Sequence, residues 1–182
     1  MKLKNLYIVL MIFLSGIAFG QETGIHLKSI QANFSEQSIR VYQKNSQNKL
    51  NEFYEYLSLY SAEKDESLKK QIRENLFLMV DNNLKIPDFT IENPKEISFE
   101  KLLSKIENQN IQFKIKIGQT PTEVEINHWT NPYILRISQN GKTNEFKVEQ
   151  TIYFEPKEKK FGSKLKTVWE TKLGNLEIVD GF

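Results

Sequence analysis

The hydrophobic period of this chain changes at Ile111, and that change limits the fold more than any other feature of the sequence. Before it, apolar residues recur at steps of three and four. Leu50, Phe53, Leu57 and Tyr60 form one such row; Leu68, Ile72, Leu76, Met79 and Val80 form another. Both rows are the pattern of an amphipathic helix. From Ile111 onward the step is two: Ile111, Phe113, Ile115 and Ile117 alternate with Gln112, Lys114 and Lys116, as in a strand with one buried face. Helices first and strands afterwards predict one α+β domain, with helices packed on a mainly antiparallel sheet.

Local signals place the elements. The first helix follows Asn45 or Ser46, with Ser38 as its earliest start. A short polar connection over 61–66 makes the first two helices expected antiparallel neighbours, and Asp65 is the expected N-cap of the second. Asn82 and Asn83 end that helix, and Pro87 and Pro94 keep the next stretch extended. Ser98 is the cap of a third, short helix that buries Phe99, Leu102, Leu103 and Ile106, with Ile97 and Leu102 spaced as a hydrophobic staple. In the sheet region, 118–122 is a break, after which Val124, Ile126 and His128 share one face of a strand. A strand over 133–138 leads to Asn140-Gly141, the strongest short-range hairpin signal. The return strand, 144–154, buries Phe146, Val148, Ile152 and Phe154. A second turn is expected at 156–162, a strand at 164–172 carrying Leu165 and Trp169, and a separate short strand at 176–179. Residues 38–182 thus read as a single domain and 21–37, mixed and weakly periodic, as a poorly ordered leader.

The start of the chain predicts export. Lys2 and Lys4 precede an apolar run over 6–14, and small residues follow up to Gly20. Those are the charged, apolar and cleavage regions of a signal peptide over 1–20, cut between Gly20 and Gln21. The apolar run is too short to span a bilayer, which takes about 20 residues. The chain has no Cys; a lipidated bacterial precursor needs one at the cut, so no membrane anchor is expected after cleavage. A disulfide-free exported domain suggests a bacterial, periplasmic or secreted protein.

Charge and motifs exclude several functions. The chain has 25 Lys and Arg against 23 Asp and Glu. Two of the basic residues, Lys2 and Lys4, lie in the expected signal peptide, so the remainder is formally neutral. Such a chain has no long-range field for nucleic acid or an anionic membrane. The basic cluster Lys157, Lys159 and Lys160 is interrupted by Glu155 and Glu158 and reads as a solvated turn. There is no phosphate loop, nucleophile elbow or His-Glu-x-x-His, and thiolate chemistry is absent with Cys. With His26 and His128 the only histidines, no metal site and no cofactor are expected.

Four residues remain as candidates for binding: His128, Trp129, Tyr133 and Arg136. His128, in phase with Val124 and Ile126, is either a proton shuttle in a pocket or an inward His satisfied by a hydrogen bond. Arg136 can anchor a ligand carboxylate or pair across the sheet with Glu145 or Glu149. Trp129, like Trp169, reads as core or rim. Tyr54, Tyr56 and Tyr60 crowd the first helix and cannot all face one way.

Two helices, an extended piece, the short helix Ser98-Phe99-Glu100-Lys101-Leu102-Leu103, and a meandering sheet with an Asn140-Gly141 hairpin form an order of elements over 46–179. That order resembles the nuclear-transport-factor-2-like superfamily. The resemblance implies a curved sheet wrapped into a cone around the helices, with a pocket at its wide end; the alternative is another α+β arrangement, a helical pair on a four- or five-stranded antiparallel sheet. The superfamily includes enzymes, ligand binders and adaptors, so the resemblance leaves the activity open. Its enzymes set an Asp, or a His–Asp pair, inside the cone. Asp81, Asp88 and Asp180 are the acids nearest such a mouth here, and none matches a family motif. No catalytic residue is therefore assigned. The expectation is a non-enzymatic binding module holding a small, largely apolar ligand between sheet and helices. The alternatives are a protein–protein or homodimerising module of the cell envelope, and an acid/base enzyme using His128.

Overall fold

The computed structural model describes residues 29–118 and 123–179. The expected signal peptide, residues 21–28 with His26, most of the 118–122 break, and Asp180 lie outside them. Four helices come first: α1 (Ile30–Asn33), α2 (Glu36–Ala62), α3 (Glu66–Met79) and, after the small hairpin β1 (Lys85–Pro87) and β2 (Glu96–Ser98), α4 (Phe99–Ile106). The main sheet follows as β3 (Gln112–Ile117), β4 (His128–Gln139), β5 (Lys142–Phe161) and β6 (Lys164–Ile178). Its spatial order is the chain order and every pairing is antiparallel. The sheet curls strongly into a half-barrel around the helices. The architecture is α+β and is compatible with a nuclear-transport-factor-2-like cone.

The helix caps follow the sequence. Asp65 accepts from the Leu68 amide at 2.9 Å and Ser98 from the Lys101 amide at 3.3 Å, each satisfying a donor the helix cannot. α2 starts two residues before Ser38 because Ser35 caps it, accepting from the Ser38 amide. Its row Leu50, Phe53, Leu57 and Tyr60 is buried, as are Tyr54 and the α4 row Phe99, Leu102, Leu103 and Ile106. Tyr56 is the half-buried member of the tyrosine set. In α3 the expected face is shifted by one residue at its start: Leu68 is exposed, and Lys69 is buried in its place. The Lys69 ammonium is satisfied by Glu66 at 3.0 Å, Glu107 at 3.1 Å and Asn108 at 3.2 Å.

Residues 29–37 are more ordered than a leader. Ile30 is fully buried and its amide donates to the Ile126 carbonyl at 2.8 Å. Phe34 sits 5.1–5.4 Å from the rings of Tyr42, Phe154 and Trp169. Two apolar anchors in nine residues are too few to show a period, so the sequence pattern hides them.

The sheet differs from expectation in three places. The second turn is shorter: β5 runs through Pro156, and the chain reverses at Gly162, whose φ of 64° is left-handed. Pro156 is tolerated because of strand parity. The Phe154 amide points toward the β4 side, donating to the Asn127 carbonyl. Pro156, two residues on, therefore faces the same side, where β4 has ended and no ladder bond is lost. The short strand at 176–179 is the continuation of β6 past an irregularity at Gln150/Ile152. There Gly174 lets the strands approach: a Cβ on it would lie 2.6 Å from the Tyr153 ring. Finally, β4 begins only at His128; residues 123–127 are not strand. The first hairpin is as expected, with Asn140 at φ 50° and Gly141 at 76°, the two left-handed residues of a type I′ turn.

Candidate functional site

The strand start at His128 decides where the four candidate residues go. Side chains alternate along a strand, so Trp129, Asn131, Tyr133, Leu135 and Ile137 face the helices and are buried. His128 and Arg136 take the opposite face. His128 is thus not inward with Val124 and Ile126, and Ile126 itself is exposed. The break in strand at 123–127 resets the alternation. The His128 ring is held at the surface by Glu125 and Asn127, both at 3.2 Å, beside the Tyr153 ring. Arg136 lies directly across from Glu145 and pairs with it on the exposed face. The structure places Trp129 and Tyr133 on the inner face of β4, four residues apart, and His128 and Arg136 on its outer face.

Inside, the concave face carries a polar seam between α2 and the sheet. Tyr133 donates its hydroxyl to Gln150 Oε1 at 2.7 Å. Its one proton so used, it accepts from the Tyr54 hydroxyl, also at 2.7 Å. Gln150 Nε2 passes the chain on to the Gly174 carbonyl at 3.0 Å. Burial pushes both tyrosine hydroxyls above their ordinary range, so both stay neutral donors. Nearby, Ser46 Oγ accepts from Trp129 Nε1 at 3.2 Å and Asn131 Nδ2 at 3.0 Å, and donates to the Gln43 carbonyl at 2.6 Å. Phe34, Tyr42, Phe154 and Trp169 stack over one end of this face. The seam fixes the register of helix on sheet. It contains no group that exchanges a proton near neutrality. Asp88, the one buried acid among the residues described, is also committed. Burial alone would raise its carboxyl, but hydrogen bonds from Lys105 and Thr90 outweigh this and hold it below the ordinary value.

Room for a ligand lies beside the seam. Asn51, Tyr54, Glu55, Ser58 and Ala62 recur on one face of α2 and, with Gln112–Ile115 of β3, line a cleft of about 620 Å³. That is within the range of small-ligand sites, about 300–1,000 Å³. Tyr54 and Phe113 make its floor, and Leu59, 54% exposed, overhangs it. β3 is an edge strand, and α2 covers part of that edge. Ser58 Oγ accepts from the Phe113 amide at 2.8 Å, and Ser61 Oγ from the Ile111 amide at 2.9 Å. Outward-pointing amides recur every second residue, so the next is that of Ile115. Here α2 has no hydroxyl to offer, and among the described residues nothing bonds to the Ile115 amide. Sequence reasoning missed this place because it depends on which edge of the sheet the helix covers. The Ser58 and Ser61 spacing is a sign visible only in retrospect.

No protein-family model matches the chain, and no curated protein matches it in sequence. Among the described residues no group of three or more His, Asp or Glu is placed to hold a metal ion, and no helix is long and apolar enough to cross a membrane.

Proposed function

We propose that the protein is an exported, non-enzymatic binding module of the nuclear-transport-factor-2-like superfamily, and that the cleft between α2 and β3 holds a short, extended, largely apolar segment of a partner. Export is supported by the charged, apolar and small-residue start of the chain. The superfamily is supported by the order of helices and the curled antiparallel sheet. The observation that carries the binding reading is the unpaired Ile115 edge above an apolar floor. A partner strand adds main-chain hydrogen bonds at such an edge, while side-chain pockets select its sequence. The cleft also has the size for a small apolar ligand, which would use the Tyr54–Phe113 floor without the strand edge.

The test combines native mass spectrometry of the processed protein with a panel of immobilised apolar peptides. The decisive variant is Ile115→Pro. It removes the outward N–H on an edge strand, where proline costs no ladder bond. Capture of peptides by the parent and loss of capture in a folded Ile115→Pro variant is the expected result. A retained small molecule that survives the substitution supports the ligand reading instead. Absence of both peptide capture and retained mass would sink the proposal.

A further inference from the structure

A second cleft, of about 640 Å³, lies at the other edge of the sheet. Three parts of the chain meet there. α2 supplies Lys49, α3 supplies Leu78, and the β5–β6 ribbon supplies Lys157, Lys159, Glu170 and Lys172. The two half-buried amines are held by backbone: Lys49 Nζ donates to the Thr171 carbonyl and Lys172 Nζ to the Leu78 carbonyl. Each ammonium has three donors, so each keeps two for another acceptor. Among the described residues neither has a carboxylate at ion-pair distance. Glu170, the carboxylate of the lining, is shared by Lys159 and, at 3.7 Å, Lys157.

The lining therefore gathers four lysines around one carboxylate. The mutual repulsion shows in the amines themselves. Burial, and then the charge of Lys172, bring Lys49 down to about 8, against the partial support of Glu170 and Glu52. Burial lowers Lys172 as well, offset in part by Glu170 and Asp81 and aggravated by Lys157 and Lys159. A compact dianion would neutralise most of the excess. A phosphate group has that charge and enough oxygens to accept from several ammoniums at once, where lysine serves as a point charge. One more carboxylate would leave an excess uncompensated.

We propose that this cleft binds a phosphate group, free or on a lipid headgroup, with Lys49 and Lys172 donating to its oxygens. The test titrates the processed protein with inorganic phosphate by calorimetry, and sediments it with phosphatidylcholine vesicles with and without phosphatidic acid. At about pH 9, where free phosphate is already the dianion and Lys49 has largely lost its proton, binding takes up protons, because the seated dianion returns Lys49 to its charged form. Phosphate carries more charge at high pH, so a roughly tenfold weakening by about pH 9.5 reports loss of the lysine charge. Lys49→Met and Lys172→Met each weaken binding about tenfold or more. Glu170→Gln strengthens it, a gain that misfolding cannot imitate. Binding to phosphatidic acid vesicles alone assigns the lipid headgroup; binding of inorganic phosphate alone assigns the free ion. No binding of either at about 10 mM phosphate, a level that would detect even millimolar affinity, overturns the proposal. So does equal binding by the two methionine variants.

Discussion

Replacing Ser46 by alanine should unfold this domain more readily than any change of similar size at its surface. The hydroxyl accepts from Trp129 Nε1 and Asn131 Nδ2 and donates to the Gln43 carbonyl, and all four residues are buried. Alanine leaves the indole and amide donors without an acceptor, in a region where Gln43 Nε2 and Asn131 Oδ1 already lack partners. A buried donor left unsatisfied costs about 1–3 kcal/mol, so two of them cost about 3 kcal/mol in sum. Against a total stability of about 5–15 kcal/mol that is a large fraction. It lowers the melting temperature by about 6–12 °C for a chain of this size. The assay is urea unfolding followed by far-UV circular dichroism, repeated for Trp129→Phe and for the double variant. Phenylalanine removes the indole donor, so the double variant should lose less than the sum of the singles, with a coupling of about 1 kcal/mol. A Ser46→Ala variant within about 0.5 kcal/mol of the parent, the range of a neutral surface change, would refute the reasoning.

Three further outcomes follow from the packing and charge. Lys49→Met should be more stable than the parent at pH 7 by about 1–2 kcal/mol, allowing for solvent at this half-buried amine. The folded chain releases the Lys49 proton near 8 and the unfolded chain near 10.5, so parental stability rises with pH between them. The gap therefore closes over that window, and a gap independent of pH counts against the burial argument. Asp88→Asn should cost about 2 kcal/mol at pH 7, the worth of charge-assisted hydrogen bonds. Because the folded carboxyl lies below its ordinary value, the difference shrinks as acid protonates the parent, which parallel melts at falling pH will show or fail to show. Gly174→Ala drives a methyl into the Tyr153 ring and should destabilise by about 1–3 kcal/mol; an unchanged urea midpoint would mean the ring moves freely.

The fold was legible where one local rule decides the outcome. The period change at Ile111, the caps Asp65 and Ser98, and the Asn140-Gly141 turn each rest on a few adjacent residues, and each is present. What depends on distant partners was not legible. Lys69 is buried because Glu107 and Asn108 arrive from the end of α4 to meet it. Pro156 sits in a strand because β4 has stopped beside it. Ile30 and Phe34 are held by Ile126, Phe154 and Trp169, all far along the chain. Of the candidate residues, Trp129 and Tyr133 fell inside by simple alternation. His128 did not, because a break of five residues before it is invisible to a two-residue period. The α2–β3 cleft needed the sheet order before it could be seen.

Strand β6 has a consequence for the order of events in folding. It pairs with β5 on one side and receives the segment from α3 to β1 on the other, through the Asp81 amide on the Leu173 carbonyl and the Lys85 amide on the Asn175 side chain, a contact spanning 90 residues. Helices α2, α3 and α4 can form from local contacts within microseconds. Joining them to the sheet must wait for β6 and for the closure of those long loops, which places folding among the slower, non-local topologies. Until then the chain stays open and threadable. For a protein proposed to cross a membrane before it folds, that delay is an interval in which transport can finish first.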